Sequence, residues 1–316
     1  MITTVSIYEM YRIINEEHRN PHSVLGMHEV LNGGKEMLSV RVFAPGAKAV
    51  TVIEKKGRKK EFEAQLIHDD GFFEAVITSR KKWFPYTLRI EYNDGNIYET
   101  ADKYSFRPTV SEYDRYLYGA GTHYEIYKKL GAHLCNVDGT DGVSFAVWAP
   151  NAQRVSVVGD FNHWDGRIFP MEKHEDSGIF ELFIPEMKAG TAYKYEIKFK
   201  GGNIAVKTDP YCRQCDAGQG FASVVYADIP FAWEDGAWQK AEENRDIEKE
   251  PAAIYEISPE TCRQIKEPEQ FAAQIAKLGY THIELQAVAQ YDSRRRNLRE
   301  TAGYFAPADI FGTPDD

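Results

Sequence analysis

Little in this chain of 316 residues points toward a membrane, a nucleic acid or a redox centre. No apolar run approaches the roughly 20 residues that a membrane helix needs. The opening MITTVSIYEMYRIINEEHRN lacks a basic start followed by an apolar core, so no secretory leader is expected. Basic residues are outnumbered, 38 against 48 acidic, for a formal charge of −10. That works against a nucleic-acid partner, whose phosphates are held largely by Lys and Arg; a neutral polymer is not repelled. Four cysteines are few for this length and fit a reducing cytoplasm. Cys212 and Cys215 have CxxC spacing, but no second pair and no His at ligand spacing accompany them. Neither a metal nor a cofactor is expected. A redox role would put the first Cys at a helix start, and this region reads as loop.

What the chain does have is β-patterning. Val40, Val42 and Ala44 alternate, Pro45-Gly46 turns, and Val50 and Val52 resume. Asp69-Asp70-Gly71 and Asn93-Asp94-Gly95 are hairpin signals. An internal repeat is visible: VRVFAPGAKAVTVI from Val40 matches FAVWAPNAQRVSVV from Phe145, with Ala-Pro-x-Ala and the paired valines in register. Further on, Gly71-Phe72-Phe73-Glu74 matches Gly178-Ile179-Phe180-Glu181, and Asp102-Lys103-Tyr104 matches Asp209-Pro210-Tyr211. The expected fold is mainly β: two immunoglobulin-like sandwiches in tandem, then a short mixed segment. The expected division is 1–118 (with an N-terminal helix carrying Ile7, Met10, Tyr11 and Ile14 on one face), a linker helix over 119–134 capped by Thr122 and stopped by Gly131, a second sandwich over 135–230, and a surface linker over 231–250 in which Trp233 and Trp238 anchor packing. Pro251–Ile257, Pro268–Lys277 and Thr281–Leu285 read as strand, helix and buried-type strand, one βαβ unit within 251–316.

The centre of interest is FAVWAPNAQRVSVVGDFNHWD, Phe145 to Asp165. Two strands flank Pro150-Asn151, and Gly159-Asp160 releases a loop tipped with Asn162 and Trp164. Indole packs on the CH face of a pyranose, and Asn both donates to and accepts from hydroxyls. Lys194, in the strand Tyr193–Ile197, is a third candidate. The plainer alternatives are an indole laid on its own sheet and a solvated strand lysine. The first copy has Ile53-Glu54-Lys55-Lys56-Gly57 where the second has this loop, so only the second is expected to bind sugar well. The three histidines of HRNPHSVLGMH, His18 to His28, are expected to be structural, since no further ligand stands nearby.

WAPNAQRVSVVGDFNHWDGR resembles the glucan-binding sandwich that precedes the catalytic barrel in glycogen branching enzymes. HRNPHSVLGMH resembles their HxxPHxxLGxH opening, and LGYTHIEL and GYFAPADIFGTPDD resemble the start of their (β/α)8 barrel. The resemblance covers nearly the whole chain. It implies α-glucan as partner, Trp164, Lys194 and Asn162 as sugar contacts, and a retaining transfer of α-1,4 chains to α-1,6 branch points by an Asp nucleophile and a Glu acid/base. The chain departs from the family at the hairpin Asn203-Ile204-Ala205, where a second stacking ring is usual. It departs again at Ser258-Pro259-Glu260-Thr261-Cys262 and Gln290–Glu300, where barrel loops build the active site. The family's catalytic carboxylates fall beyond Asp316, so the expectation is a chain truncated within the barrel, with no catalytic residue and with glucan binding retained. Glu256, Glu284 and Glu300 are expected to be structural, the run Arg294–Arg296 a solvated loop, and residues 286–316 either poorly ordered or packed on the second sandwich. The rival expectation is a regulatory or scaffold protein whose sandwiches bind a protein partner.

Overall fold

The computed structural model describes residues 3–56, 59–216, 218, 220–243, 245–291 and 301–315. Helix α1 (Ile7–Ile14) starts at Ser6, whose side chain accepts from Glu9 N–H. Its buried residues are Met10 and Ile13, while Ile7 and Tyr11 are exposed, so the buried stripe is rotated from the expected one.

The first sandwich is one antiparallel sheet folded over on itself. Strands β1 (Gly26–Asn32), β2 (Lys35–Phe43), β3 (Ala47–Glu54), β4 (Glu61–His68), β5 (Phe72–Ile77), β6 (Tyr86–Tyr92) and β7 (Ile97–Ala101) lie in the order β1-β2-β5-β4-β3-β6-β7. The paired valines face inward, and Val40, Val50 and Val52 meet Leu38, Phe73, Ile77 and Leu88 in one core.

The expected helix over 119–134 is a correction. Helix α2 is Glu112–Gly119, ahead of that stretch, and it starts at a reciprocal capping box between Ser111 and Asp114. Gly121, at φ +72°, follows its end. Thr122 caps nothing, and its hydroxyl donates back to Leu117 O at 3.4 Å. Only a short 3-10 turn, Ile126–Lys128, follows before β8 (Gly131–Val137). That strand therefore begins earlier than the sequence pattern implies.

The second sandwich has two separate sheets. One contains β8, β9 (Thr140–Trp148), β11 (Glu172–His174) and β12 (Ile179–Pro185) in the order β11-β12-β9-β8. The other contains β10 (Ala152–Val158), β13 (Ala192–Phe199), β14 (Ile204–Lys207), β15 (Gln214–Asp216) and β16 (Ala222–Val224) in the order β10-β13-β16-β15, with β14 on β13. Phe145, Val147, Val155, Val157, Phe180, Leu182, Tyr193 and Tyr195 fill the space between them. The same cluster takes in Met10, Ile13, Val24, Leu25, Phe43, Phe72 and Tyr104, so the two sandwiches share apolar packing.

The repeat extends to single hydrogen bonds. Asp102 accepts from Tyr86 O–H at 2.6 Å and Tyr104 N–H at 3.0 Å; Asp209 accepts from Tyr193 O–H at 2.6 Å and Tyr211 N–H at 2.8 Å. Burial pushes the Asp102 carboxyl up and that of Asp209 up to about 6, against the lowering effect of those donors. Gly71 (φ +96°) and Gly178 (φ +75°) each pack on an Ala-Pro turn: a Cβ on Gly71 would lie 2.4 Å from Ala44 O, and one on Gly178 2.7 Å from Pro150 Cβ.

Beyond the second sandwich, Trp233 (76% exposed) and Trp238 stand in solvent, correcting their expected role as packing anchors; Trp233 touches only the Phe231 ring among the aromatic pairs of the described residues. Helix α3 (Gly236–Glu242) buries nothing. The βαβ unit forms: β17 (Ile254–Ile257) pairs in parallel with β18 (His282–Leu285), with α4 (Pro259–Cys262) and α5 (Pro268–Lys277) between them. β18 is exposed along its length, which corrects its reading as a buried strand: its apolar side chains record a need for cover that the described residues do not supply. Strands β19 (Ala289–Tyr291) and β20 (Thr301–Pro307) pair antiparallel. β20 packs on the second sandwich, with Phe305 stacked on Tyr211 at 5.1 Å and Ala306 clustered with Cys212 and Cys215. Of the two fates expected for the tail, packing is the one observed for 301–307. Arg294–Arg296 and Glu300 lie outside the described residues.

Candidate functional site

Strand β10 delivers the loop. Val155, Val157 and Val158 are buried and pair with Ile197, Tyr195 and Lys194 of β13. Gly159 then passes so close to β13 that a Cβ would sit 2.5 Å from Ala192 O. A 3-10 turn, Asp160–Asn162, follows, and His163 (φ 54°) and Trp164 (φ 59°) are both left-handed. Left-handed non-glycine residues cost about 1–3 kcal/mol each, and they persist only where the surroundings hold them.

Asn162 supplies that hold. It is 2% exposed; its amide oxygen accepts from Gly159 N–H at 2.9 Å, and its amide nitrogen donates to Val157 O at 3.0 Å and Asp165 O at 3.2 Å. Both polar atoms of the buried side chain bond the protein backbone, so its expected place against a sugar gives way to a place inside the loop. A short polar side chain immediately before a tight left-handed pair competes for backbone groups, which is the signal that could have shown it.

Trp164 is 37% exposed, and its Nε1–H donates to Asp160 Oδ1 at 2.8 Å. The indole is neither entombed under its sheet nor free to swing: one edge is pinned and part of the ring meets solvent. Asp160, the pin, was missed in the sequence, although it stands four residues before the ring in the same short motif. Lys194 lies directly across the ladder from Val158, at the foot of the loop, and its Nζ donates to Gly220 O at 2.6 Å. Burial lowers its pKa. On the hairpin where a second ring was sought, β14 presents Ile204, which is exposed.

The histidines of the opening segment have separate surroundings: His18 Nε2 bonds Glu9 at 2.5 Å and His28 Nε2 bonds Leu25 O at 2.9 Å, while His22 Nδ1 lies 3.3 Å from Glu172 and makes no hydrogen bond among the described residues. Cys212 and Cys215 are free thiols, Sγ to Sγ 3.3 Å, and their mutual hydrogen bond and burial push the Cys212 thiol up. Among the described residues no group of three or more His, Cys, Asp and Glu could hold a metal ion, and no helix is long and apolar enough to cross a membrane.

Residues 6–104 match the family described as alpha-1,4-glucan branching enzyme GlgB, N-terminal domain, and residues 129–212 match carbohydrate-binding module 48 (isoamylase N-terminal domain). The chain carries the N-terminal region of the glycogen branching enzyme family. Similar proteins named 1,4-alpha-glucan branching enzyme GlgB come from Myxococcus xanthus, 37% identical over 98% of this chain and 43% of the relative, and from Rubrobacter xylanophilus, 39% identical over 96% of this chain and 42% of the relative. The chain thus spans less than half the length of these branching enzymes. Among solved structures it resembles a pullulanase from Anoxybacillus sp. LM18-11 complexed with maltotriose, at TM-score 0.43 and 16% identity, over 89% of this chain and 43% of that one. The module matched at 129–212 contains β10, the loop and Lys194, so the geometry above falls inside the carbohydrate-binding module of a branching-enzyme N-terminal region.

Proposed function

We propose that the second sandwich binds a neutral α-glucan chain, with the Trp164 indole as the stacking surface, Lys194 as a hydrogen-bond donor beside it, and Asn162 holding the loop rather than touching the sugar. One observation carries this reading: a part-exposed indole whose orientation is fixed by Asp160 at the tip of a rigid sandwich. Stacking on a pre-oriented ring spares the ligand the entropy of ordering it. Lys194 would exchange its bond to Gly220 O for, or share it with, a glucose hydroxyl. The formal charge of −10 suits a neutral polymer and disfavours a polyanion.

The contribution of this region to the family reaction, transfer of α-1,4 chains to α-1,6 branch points, is capture of the chain to be cut or received. No described residue is assigned a catalytic role: Glu256 is bonded to Gln286 at 3.0 Å in the βαβ unit, as a structural carboxylate would be. Four free cysteines suit a cytoplasmic protein. The test is retention on glycogen-containing gels by the chain and by Trp164→Ala. Loss of about 1.4 kcal/mol or more of binding, a tenfold weakening, is expected. Undiminished retention of a folded Trp164→Ala variant would overturn the reading and leave the sandwiches as a protein-binding scaffold.

A further inference from the structure

A cleft of about 570 Å3 lies between the two sandwiches. That is within the range of roughly 300–1,000 Å3 usual for small-ligand sites. One wall is the outer edge of the first sandwich, with Tyr92 on β6 and Tyr98 on β7; the other is the underside of the Trp164 loop, including Phe169 and Arg167. Tyr98 is 56% exposed and is braced edge-on by Tyr92, ring centroids 5.8 Å apart. At the seam, the Lys103 ammonium sits over two rings, 5.0 Å from the Tyr104 centroid and 4.9 Å from that of Phe169. It is given no oxygen acceptor among the described residues. Burial lowers its pKa to about 8. Tyr104, on the same lining, has a buried hydroxyl without a partner among the described residues.

We infer that this cleft is a second saccharide site, in which a short stretch of α-glucan stacks on Tyr98 and accepts hydrogen bonds from the Lys103 ammonium. The inference rests on the proposed glucan reading and extends it to the first sandwich. The lining chemistry selects a neutral polyol. Lys103 offers N–H donors that meet no oxygen acceptor among the described residues. Arg167 and Asp165 form a planar pair at 2.7 Å, a donor next to an acceptor, and Asp94 adds a carboxylate on the rim. Hydroxyls satisfy donors and acceptors together, whereas an anion would have to approach both Asp94 and Asp165. The arrangement also accounts for the missing ring on the β14 hairpin: a second aromatic platform exists, but the first sandwich contributes it. The two copies of the repeat then bind as one unit, the second through its loop and the first through the edge that faces that loop.

The test is titration of the whole chain with maltotriose, read by two-dimensional NMR and calorimetric stoichiometry. The wild type is expected to bind two molecules. Tyr98→Ala and Lys103→Met should each bind one and keep the Trp164 response. Trp164→Ala should bind one and keep the responses around Tyr98, and the double variant Tyr98→Ala/Trp164→Ala should bind none. Tyr98 is exposed and Lys103→Met keeps the bulk over the rings, so both variants should fold, as their thermal transitions will report. A stoichiometry of one in the wild type that is unaffected by Tyr98→Ala and abolished by Trp164→Ala would overturn the cleft while leaving the glucan reading intact. No binding by the wild type would remove both. Uptake of inorganic phosphate in the cleft in preference to maltotriose would also overturn the proposal, because Lys103 would then be an anion anchor.

Discussion

Replacing Asn162 by Ala should damage the fold of the loop more than any direct sugar contact. The amide makes three hydrogen bonds to backbone, all within a site that is 2% exposed. Truncation leaves Gly159 N–H and two carbonyls to find other partners. An unsatisfied buried group costs about 1–3 kcal/mol, and the two carbonyls can recruit water more readily than the N–H, so a total of roughly 2–4 kcal/mol is expected. For a unit of this size each kcal/mol moves the melting temperature by about 2–4 °C, giving a fall of roughly 4–16 °C. The same change releases His163 and Trp164 from their left-handed conformations, so sugar affinity should fall as a consequence, by the fraction of molecules that keep the native loop. Differential scanning fluorimetry alongside glucan titration separates cause from consequence. A variant with native melting temperature and native near-ultraviolet signal from tryptophan, yet about tenfold weaker for glucan, would refute the reasoning and return Asn162 to the role of a direct contact.

Arg154, 1% exposed, ties the end of α1 to the second sandwich through Glu16 at 2.9 Å and Glu196 at 2.5 Å. Arg154→Met should cost about 3–5 kcal/mol by leaving two carboxylates without their cation, and hydrogen exchange should show α1 losing protection first; unchanged protection of α1 would count against the tie. Two buried groups give opposed pH slopes. Burial lowers His22 to about 4, so its stabilising contribution is complete above about pH 6.5 and is lost as pH falls toward 4; Asp209, raised to about 6, contributes below about pH 4 and loses that contribution as pH rises through 6. Each difference of about two units corresponds to about 3 kcal/mol at most. His22→Gln should flatten the acid loss of stability and Asp209→Asn should steepen it, and denaturant titrations from pH 4 to 7 in which both variants track the wild type would show that neither group titrates with folding.

What was legible in the sequence was mostly steric and local. Gly71 and Gly178 show in the repeat because each must be left-handed against an Ala-Pro turn where a Cβ has no room. Asp102 and Asp209 show because each is a buried carboxylate that serves a Tyr hydroxyl and a nearby N–H. The less legible features depend on partners distant in sequence or on competition between neighbours. The helix after the first sandwich starts at Ser111 because Asp114 closes a capping box there, a weaker signature than the Thr122 to Glu125 spacing that drew attention downstream. α1 turns Met10 and Ile13 inward because its cover comes from both sandwiches at once, which periodicity cannot register. Asn162 looked like a sugar ligand because residue type alone does not say which way an amide faces.

The two copies therefore share a frame and differ in what they do with it. In both, the glycine on the Ala-Pro turn and the buried Asp–Tyr pair serve the interior, so they persist whatever the surface is used for. They diverge at the end of the strand carrying the paired valines. In the first copy β3 runs on to Glu54, which is buried and paired with Arg80 at 3.1 Å; in the second β10 stops at Val158, and Gly159 releases the loop that carries Trp164. The first copy, without such a loop, gives part of its apolar surface to the shared core through Leu25, Phe43, Phe72 and Tyr104. With that shared packing, β7 and the segment around the Trp164 loop line one cleft, through Tyr98, Thr100 and Ala101 on one side and Phe161, Arg167 and Phe169 on the other. A sandwich without such a loop can thus still line a cleft beside the loop of its neighbour.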